Sequence, residues 1–279
     1  MAYEYELLTV EVDERLACVT ISNPPINLMT PDLYNELRNV CIELEHDDSL
    51  SVVLFKSANP DFFIAHFDVE AILQFPTDDE PRREAELNPF HQMCERVRTM
   101  DKVTIAQIEG RVGGGGSEFV SSMDMRFGVS GRTVVNQMEV PIGILPGGSG
   151  TQRLPRLIGT GRALEVILGG EDLDSETAEK WGYLNRVFEA NEIEEWVANL
   201  AKRIAGFPVS AVRLAKEAVL ASEGPIEEGL REEAYLFAQL LRTPESQSQM
   251  KQFLELGGQT KDGELQVGKL SGKLELKDS

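Results

Sequence analysis

Ile108-Glu109-Gly110-Arg111-Val112-Gly113-Gly114-Gly115-Gly116-Ser117-Glu118 is the stretch on which the reading of this chain turns. Four consecutive glycines lead from an apolar run, Val103 to Ile108, into a carboxylate, and a second carboxylate, Glu139, follows ahead of Pro146-Gly147-Gly148. Glycine lets a backbone approach a ligand closely and leaves its N–H groups free, while two neighbouring carboxylates can divide proton donation and acceptance between them. With Val103 to Ile108 as a strand and Gly115 to Met123 as a helix, the glycines occupy a strand-to-helix loop and Glu118 is expected in the first helical turn. Free N–H groups and the helix dipole there favour an oxyanion. Taken alone, such a run serves close strand–helix packing as readily. One reaction class uses both devices: proton transfer beside a carbonyl whose oxygen gathers negative charge.

Outward from this stretch, the pattern predicts an α/β core. Leu7 to Val12 and Leu16 to Ile21 flank a polar turn, Asp13-Glu14, and read as a hairpin. Thr30-Pro31 then starts a helix whose Leu33, Leu37, Val40, Cys41 and Leu44 share one face. Val52 to Phe55 is a short buried strand, and Met125 to Val129 is another after the glycine loop. This recurring ββα layout stacks strands into a layered core. From Asp174 onward the pattern is helical: Ser175 to Gly182, Asn191 to Ala205, Ser210 to Ser222, Pro225 to Arg242 and Pro244 to Leu256, divided by Gly and Pro. Leu230, Ala234, Phe237, Leu240 and Leu241 form a wide apolar face, read as local core ahead of a subunit interface. Residues 257–279, rich in Gly and Lys, are expected to be an extended or poorly ordered tail.

Composition narrows the class. The chain has 279 residues, 42% hydrophobic and 27% charged, enough apolar content for a sizeable core. A formal net charge of −20 disfavours nucleic acid and anionic membrane surfaces as partners. Three cysteines, Cys18, Cys41 and Cys94, lie in apolar-periodic sequence and read as reduced core thiols of a cytoplasmic protein. His46, His66 and His91 share no metal-ligand spacing with them. The acidic N-terminus lacks the basic-then-apolar order of a signal peptide, and no apolar stretch reaches membrane-span length.

Other glycine motifs fail on inspection. No window reads G-x-G-x-x-G. Gly263 to Lys269 imitates part of a phosphate loop, but Leu270 stands where a magnesium-binding hydroxyl is needed. Gly147-Gly148-Ser149-Gly150-Thr151 misses the nucleophile elbow, and no histidine follows Ser149.

The residues that remain resemble the crotonase, or enoyl-CoA hydratase/isomerase, superfamily. The likeness runs from about Leu7 to Leu256. It is densest in the opening stretch, in Gln137-Met138-Glu139, and in Gly143-Ile144-Leu145-Pro146-Gly147-Gly148-Ser149-Gly150-Thr151-Gln152-Arg153-Leu154-Pro155-Arg156-Leu157-Ile158-Gly159. The resemblance implies an α/β crotonase (ClpP-like) fold: a ββα spiral core over residues 1–205, a helical oligomerisation region over 206–256, and a tail. It also implies assembly into homotrimers or homohexamers.

Site roles follow by position from the same resemblance. Phe63-Ile64-Ala65-His66-Phe67-Asp68 matches the family's Phe-Ala/Ser-Ala-Gly-x-Asp segment, which implies Ala65 N–H as one oxyanion donor; Gly115 N–H is the other. Glu118 and Glu139 hold and activate a water and exchange the proton beside the thioester. Backbone around Ile26, Leu28, Ala65, Phe67, Asp68 and Gly114 meets the acyl-CoA substrate, whose coenzyme A is the only cofactor implied. Phe67, Ile72, Leu73, Phe75, Phe90 and Met93 are candidates for an apolar acyl pocket. The implied activity is hydration of a 2-enoyl-CoA. The alternatives are another acyl-CoA reaction of the superfamily (isomerase, hydrolase or decarboxylase) or non-catalytic acyl-CoA binding. Three positions depart from the pattern: His66 replaces the usual glycine, Met138 a common proline, and Glu109 a small polar residue. A positive φ at His66 would be tolerable for histidine at some cost.

Overall fold

The computed structural model describes residues 3–274 except 78, 79, 81, 82, 84, 258, 261, 262 and 264. The hairpin is β1 (Leu8–Asp13) and β2 (Leu16–Ile21), antiparallel, with Glu14 of its turn at φ +53°. The chain continues through α1 (Pro31–Glu45), β3 (Val52–Ser57), β4 (Phe62–Ile64), α2 (Val69–Ile72), α3 (Pro89–Thr99), β5 (Val103–Ile108), β6 (Arg111–Gly113), α4 (Gly114–Val120), β7 (Met125–Val129) and β8 (Val134–Asn136). Next come α5 (Gly150–Ile158), α6 (Thr160–Gly169), β9 (Leu173–Asp174), α7 (Ser175–Trp181) and β10 (Arg186–Phe188). The helices α8 (Ile193–Ala205), α9 (Val209–Leu220), α10 (Ile226–Leu240) and α11 (Pro244–Glu255) follow.

After the hairpin, the successive pairs β3/β4, β5/β6 and β7/β8 each divide between two sheets. β3, β5 and β7 run parallel inside a six-stranded sheet ordered β1-β2-β3-β5-β7-β10, while β4, β6 and β8 run parallel in a four-stranded sheet ordered β4-β6-β8-β9. This is the repeated layout expected from the sequence. The three-residue strands β4, β6 and β8 were beyond that reading, because three residues, one of them glycine in β6, carry no periodicity.

Side-chain chemistry explains the principal elements. Thr30 Oγ accepts the Leu33 N–H at 3.3 Å and Pro31 sets the first helical φ, so α1 starts where expected. Its Leu33, Leu37, Val40, Cys41 and Leu44 are all fully buried. Every residue of β5 is buried, as suits a parallel strand covered on both faces. On one face of the large sheet, Ile193, Val197, Ala201 and Ala205 of α8 pack against Leu54, Ile105 and Phe127. On the other face α4 is buried along its whole length, and Phe119 meets Phe55 edge to face at 5.5 Å. Burying a side chain of that size contributes about 2 kcal/mol. Gly116 permits the approach of α4 to β4: a Cβ there would lie 2.7 Å from Ile64 Cβ.

The C-terminal helices depart from two expectations. Lys216 of α9 reaches Asp124 Oδ2 at 2.9 Å and donates to the Lys102 carbonyl at 2.8 Å, which ties α9 to the core. In α10, however, Leu230, Phe237 and Leu241 are 54%, 61% and 38% exposed and Leu236 alone is buried, so the local-core reading of that face does not hold within this chain. In the supposed tail, Val267–Ser271 is a short helix; 258, 261, 262, 264 and 275–279 lie outside the described residues.

Candidate active site

The glycine run begins β6's exit and α4's entry, and its members serve different ends. Gly113 lies against the Ala65 carbonyl, where a Cβ would come within 2.6 Å of the oxygen. Gly114 adopts φ +45°, with the His66 Cβ and Glu139 Oε1 at 3.0 and 3.1 Å from where its own Cβ would be. At Gly115 the same construction falls 3.1 Å from Phe67 Cβ and 3.6 Å from Phe67 N. Gly116 thus serves packing, while Gly114 and Gly115 border the cavity described below.

Glu118 is the fifth residue of α4, one position later than expected, because the helix starts at Gly114 and not at Gly115. Its side chain is only 3% exposed, and Oε1 accepts the Gly150 N–H at 2.7 Å and the Gly148 N–H at 2.8 Å. Among the described residues Oε2 has no hydrogen-bond partner. Burial raises its pKa, the Gly150 N–H opposes the rise and the charge of Glu139 adds to it, leaving the carboxyl pushed up to about 7. Glu139 is 7% exposed; its Oε2 is buried without a partner among the described residues, and burial pushes this carboxyl upward too. A surface carboxylate would show neither feature.

Both glutamates border one cavity of about 840 Å³, together with Gly114, Gly115, His66 and Phe67. Of the expected acyl-pocket residues, Phe67, Ile72, Phe75 and Phe90 line it. Met93 instead sits in the core at 2% exposure and Leu73 faces outward at 74%. Tyr34 was missed: it stacks on Phe90 with centroids 5.9 Å apart and an interplanar angle of 8°, and Phe67 stands edge-on to both. Met138, Ile142, Ile144 and Leu145 complete the apolar wall. Tyr34 sits at a helix position that reads equally well as core packing, so no local signal marked it.

The segment from β4 to α2 corrects one assignment. Ala65 N–H donates to the Ile26 carbonyl at 3.3 Å, so it is turned to its own chain and not to the cavity. Two residues on, among the described residues, Phe67 N–H has no acceptor, and neither has Gly115 N–H at the second position of α4. Met29 N–H donates to the His66 carbonyl at 2.9 Å and Asp68 N–H to the Met29 carbonyl at 3.1 Å, so the peptides on either side of Phe67 are held. A carbonyl that accepts a hydrogen bond makes the N–H of the same peptide a better donor. The Met29 segment is in turn set by Asn27, which is buried at φ +50° and donates through Nδ2 to Ser57 Oγ at 2.7 Å and to the Phe62 and Phe63 carbonyls at 3.1 Å.

Ile26, Leu28, Ala65 and Asp68 lie alongside the cavity without lining it. Asp68 caps α2, accepting the Glu70 N–H at 2.9 Å, and the Leu28 carbonyl is occupied by Asn23 Nδ2 at 2.8 Å. His66 does not take a positive φ, so no backbone strain attends the histidine; its Nδ1 lies 2.8 Å from the Phe67 carbonyl.

The loop that grips Glu118 is itself gripped. Ser149, between the two donors, takes φ +108°. Arg153 Nε donates to its Oγ at 3.0 Å, and the Arg153 guanidinium pairs with Glu95 of α3. His91 Nε2 meets the Gly147 carbonyl at 2.8 Å.

Comparison with known proteins shows the family and the fold. The profile of the family described as enoyl-CoA hydratase/isomerase matches residues 11–261. A short-chain-enoyl-CoA hydratase of Clostridium acetobutylicum is 30% identical over 254 residues, 90% of this chain and 96% of the relative. A crotonyl-CoA hydratase of Syntrophomonas wolfei is 30% identical over 255 residues with the same two coverages. Among solved structures, an enoyl-CoA hydratase from Geobacillus kaustophilus superposes with a TM-score of 0.81 at 28% identity, covering 90% of this chain and 95% of that one. With the split ββα sheets, the buried glutamate pair and these matches in agreement, this chain belongs to the enoyl-CoA hydratase/isomerase family.

Proposed function

We propose that this protein is an enoyl-CoA hydratase, adding water across the double bond of a 2-enoyl-CoA to give the 3-hydroxyacyl-CoA. The observation that carries this reading is the pair of buried carboxylates, Glu118 and Glu139, bordering one apolar cavity beside the unpaired N–H groups of Gly115 and Phe67. As water oxygen bonds to C3, electron density moves through the former double bond onto the thioester oxygen. Gly115 N–H and Phe67 N–H stabilise that oxygen, each by about 3 kcal/mol in sites of this kind. Phe67 takes the donor role assigned to Ala65 from the resemblance, because Ala65 N–H is engaged by Ile26.

The two carboxyls divide the proton work. The ionised member removes a proton from water as the C3–O bond forms, and the protonated member delivers one to C2; the pair then carries the same single proton as before. Raised pKa values suit this exchange, since a carboxyl near 7 gives and takes a proton at little cost near neutral pH. Coenzyme A enters as part of the substrate, running past the Ile26–Leu28 and Phe67–Asp68 backbone, and no separate cofactor takes part.

The same reading extends to assembly and location. The exposed Leu230 and Phe237 of α10 and Leu254 of α11 support burial between copies in a homotrimer or homohexamer. No helix among the described residues is long and apolar enough to cross a membrane. Three free cysteines suit a cytoplasmic enzyme, and the net charge of −20 disfavours nucleic-acid and anionic-membrane partners.

Incubating a short 2-enoyl-CoA with the protein in heavy-oxygen water tests the reading. Hydration places the label at C3 of a 3-hydroxyacyl-CoA. An unlabelled 3-enoyl-CoA, or label in a released carboxylic acid, assigns the protein to isomerisation or thioester hydrolysis instead.

A further inference from the structure

Of the polar side chains at the cavity that the hydration chemistry leaves unused, His66 is the one next to the open Phe67 N–H. It sits between Ala65, whose N–H is engaged, and Phe67, whose N–H is open, so it occupies the peptide that carries the open donor. A carbonyl oxygen can only accept a hydrogen bond, so the 2.8 Å contact between His66 Nδ1 and the Phe67 carbonyl requires the proton on Nδ1. The side chain thus folds back over the backbone that follows it.

The consequence is a clamp around one residue. The peptide before Phe67 is held through Met29 N–H on the His66 carbonyl, at 2.9 Å. The peptide after it is held at both ends, by Asp68 N–H on the Met29 carbonyl at 3.1 Å and by His66 Nδ1 on the Phe67 carbonyl. With both flanking peptides fixed, Phe67 cannot rotate its N–H away from Gly115. Space for this arrangement comes from Gly114, where any Cβ would fall 3.0 Å from His66 Cβ.

We infer that His66 is a positioning residue for the oxyanion site: through Nδ1 it fixes the Phe67 backbone so that the Phe67 N–H is aimed before the thioester arrives. This rests on the oxyanion role given to Phe67 above. Donors that are already oriented stabilise developing charge without reorganising at the moment of reaction, and that advantage is lost when the donor's own peptide is free to turn.

Three substitutions separate this role from its rivals. Asn places an amide nitrogen where Nδ1 lies, Gln reaches instead toward Nε2, and Ala does neither. His66→Ala is expected to lower kcat about five- to tenfold with KM little changed, the size of one lost neutral hydrogen bond. His66→Asn is expected to stay within about threefold of wild type on the same scale. A second readout does not depend on turnover: the infrared carbonyl stretch of bound butyryl-CoA, which cannot be hydrated, should shift to lower frequency in wild type and His66→Asn and shift less in His66→Ala. Circular dichroism of each variant confirms that it is folded. Wild-type kcat and an undiminished carbonyl shift in His66→Ala would overturn the inference. So would rescue by His66→Gln but not His66→Asn, which would make Nε2 a substrate contact. If hydration itself is absent, the infrared comparison still decides the role of His66.

Discussion

Gly150 N–H donates to Glu118 Oε1 at 2.7 Å, so a carboxylate buried in α4 is oriented by the first residue of α5. Gly148 N–H shares the same oxygen at 2.8 Å, which leaves Oε2 as the free one. The orientation depends on there being no side chain at either glycine. A Cβ on Gly148 would lie 2.5 Å from Glu118 Oε2 and 2.6 Å from Phe90 Cε1. Gly148→Ala should therefore displace the carboxylate and lower kcat by roughly a hundredfold, the usual cost of misplacing a catalytic group by about 1 Å. Steady-state kinetics with a short enoyl-CoA measures it; a loss under threefold would show that Glu118 does not need this grip.

The oxyanion pair makes a second expectation. A Cβ on Gly115 would stand 3.1 Å from Phe67 Cβ and 3.6 Å from Phe67 N, beside the two N–H groups proposed to hold the thioester oxygen. Gly115→Ala should lower kcat/KM by about two to three orders of magnitude. Circular dichroism and melting should stay near wild type, since the crowding is at the cavity and not in the core. Loss of activity together with loss of fold would assign Gly115 to packing, as at Gly116.

Burial of Glu118 has a cost in stability that pH reveals. Its folded-state pKa, about 7, lies above the ordinary 4.5, so the folded form holds the proton more tightly than the unfolded chain. Its penalty is absent below about pH 4.5, grows as pH rises, and is complete once pH passes about 7. A difference of this size corresponds to about 3 kcal/mol. Glu118→Gln keeps an oxygen for Gly148 and Gly150 without the charge, so it should be more stable than wild type at pH 8 and similar at pH 4.5. Denaturant titrations at the two pH values check this, and equal stabilities at pH 8 would place the Glu118 pKa in the ordinary carboxylate range.

Phe90 forms a triangle of rings with Tyr34 and Phe67 in the cavity wall, 5.9 and 6.2 Å from their ring centroids. Phe90→Ala should open space for a longer acyl group. The ratio of kcat/KM for a longer-chain enoyl-CoA to that for a four-carbon one should rise about tenfold, a span typical of adding a few methylenes to an apolar pocket. An unchanged ratio would put the acyl group elsewhere in the cavity.

How far the sequence reaches into this structure depends on the range of the interaction that decides each feature. Leu33, Leu37 and Cys41 on one face of α1, and the fully buried β5, are set by local periodicity and were legible. Glu118 and Glu139 were legible through the motifs around them. The open N–H was not: Ala65 and Phe67 are two residues apart on one extended segment, and which N–H remains open is decided by the Ile26 carbonyl on a distant turn held by Asn27. Tyr34 and Met93 show the same limit from opposite sides. Each is an apolar residue on a helix, and only the packing of α1 against α3 sends Tyr34 to the cavity and Met93 to the core. The exposed face of α10 is a further case, because an apolar stripe reads alike whether its partner is in the same chain or another.

The measurement that tests the central claim most directly is hydration of a short 2-enoyl-CoA by wild type, Glu118→Gln and Glu139→Gln under identical conditions. With the two carboxyls dividing the proton transfers, each single substitution should lower kcat by at least a hundredfold, within the usual span for general acid–base groups, while acyl-CoA binding persists. Turnover at the wild-type rate in either variant would contradict a mechanism that uses both glutamates.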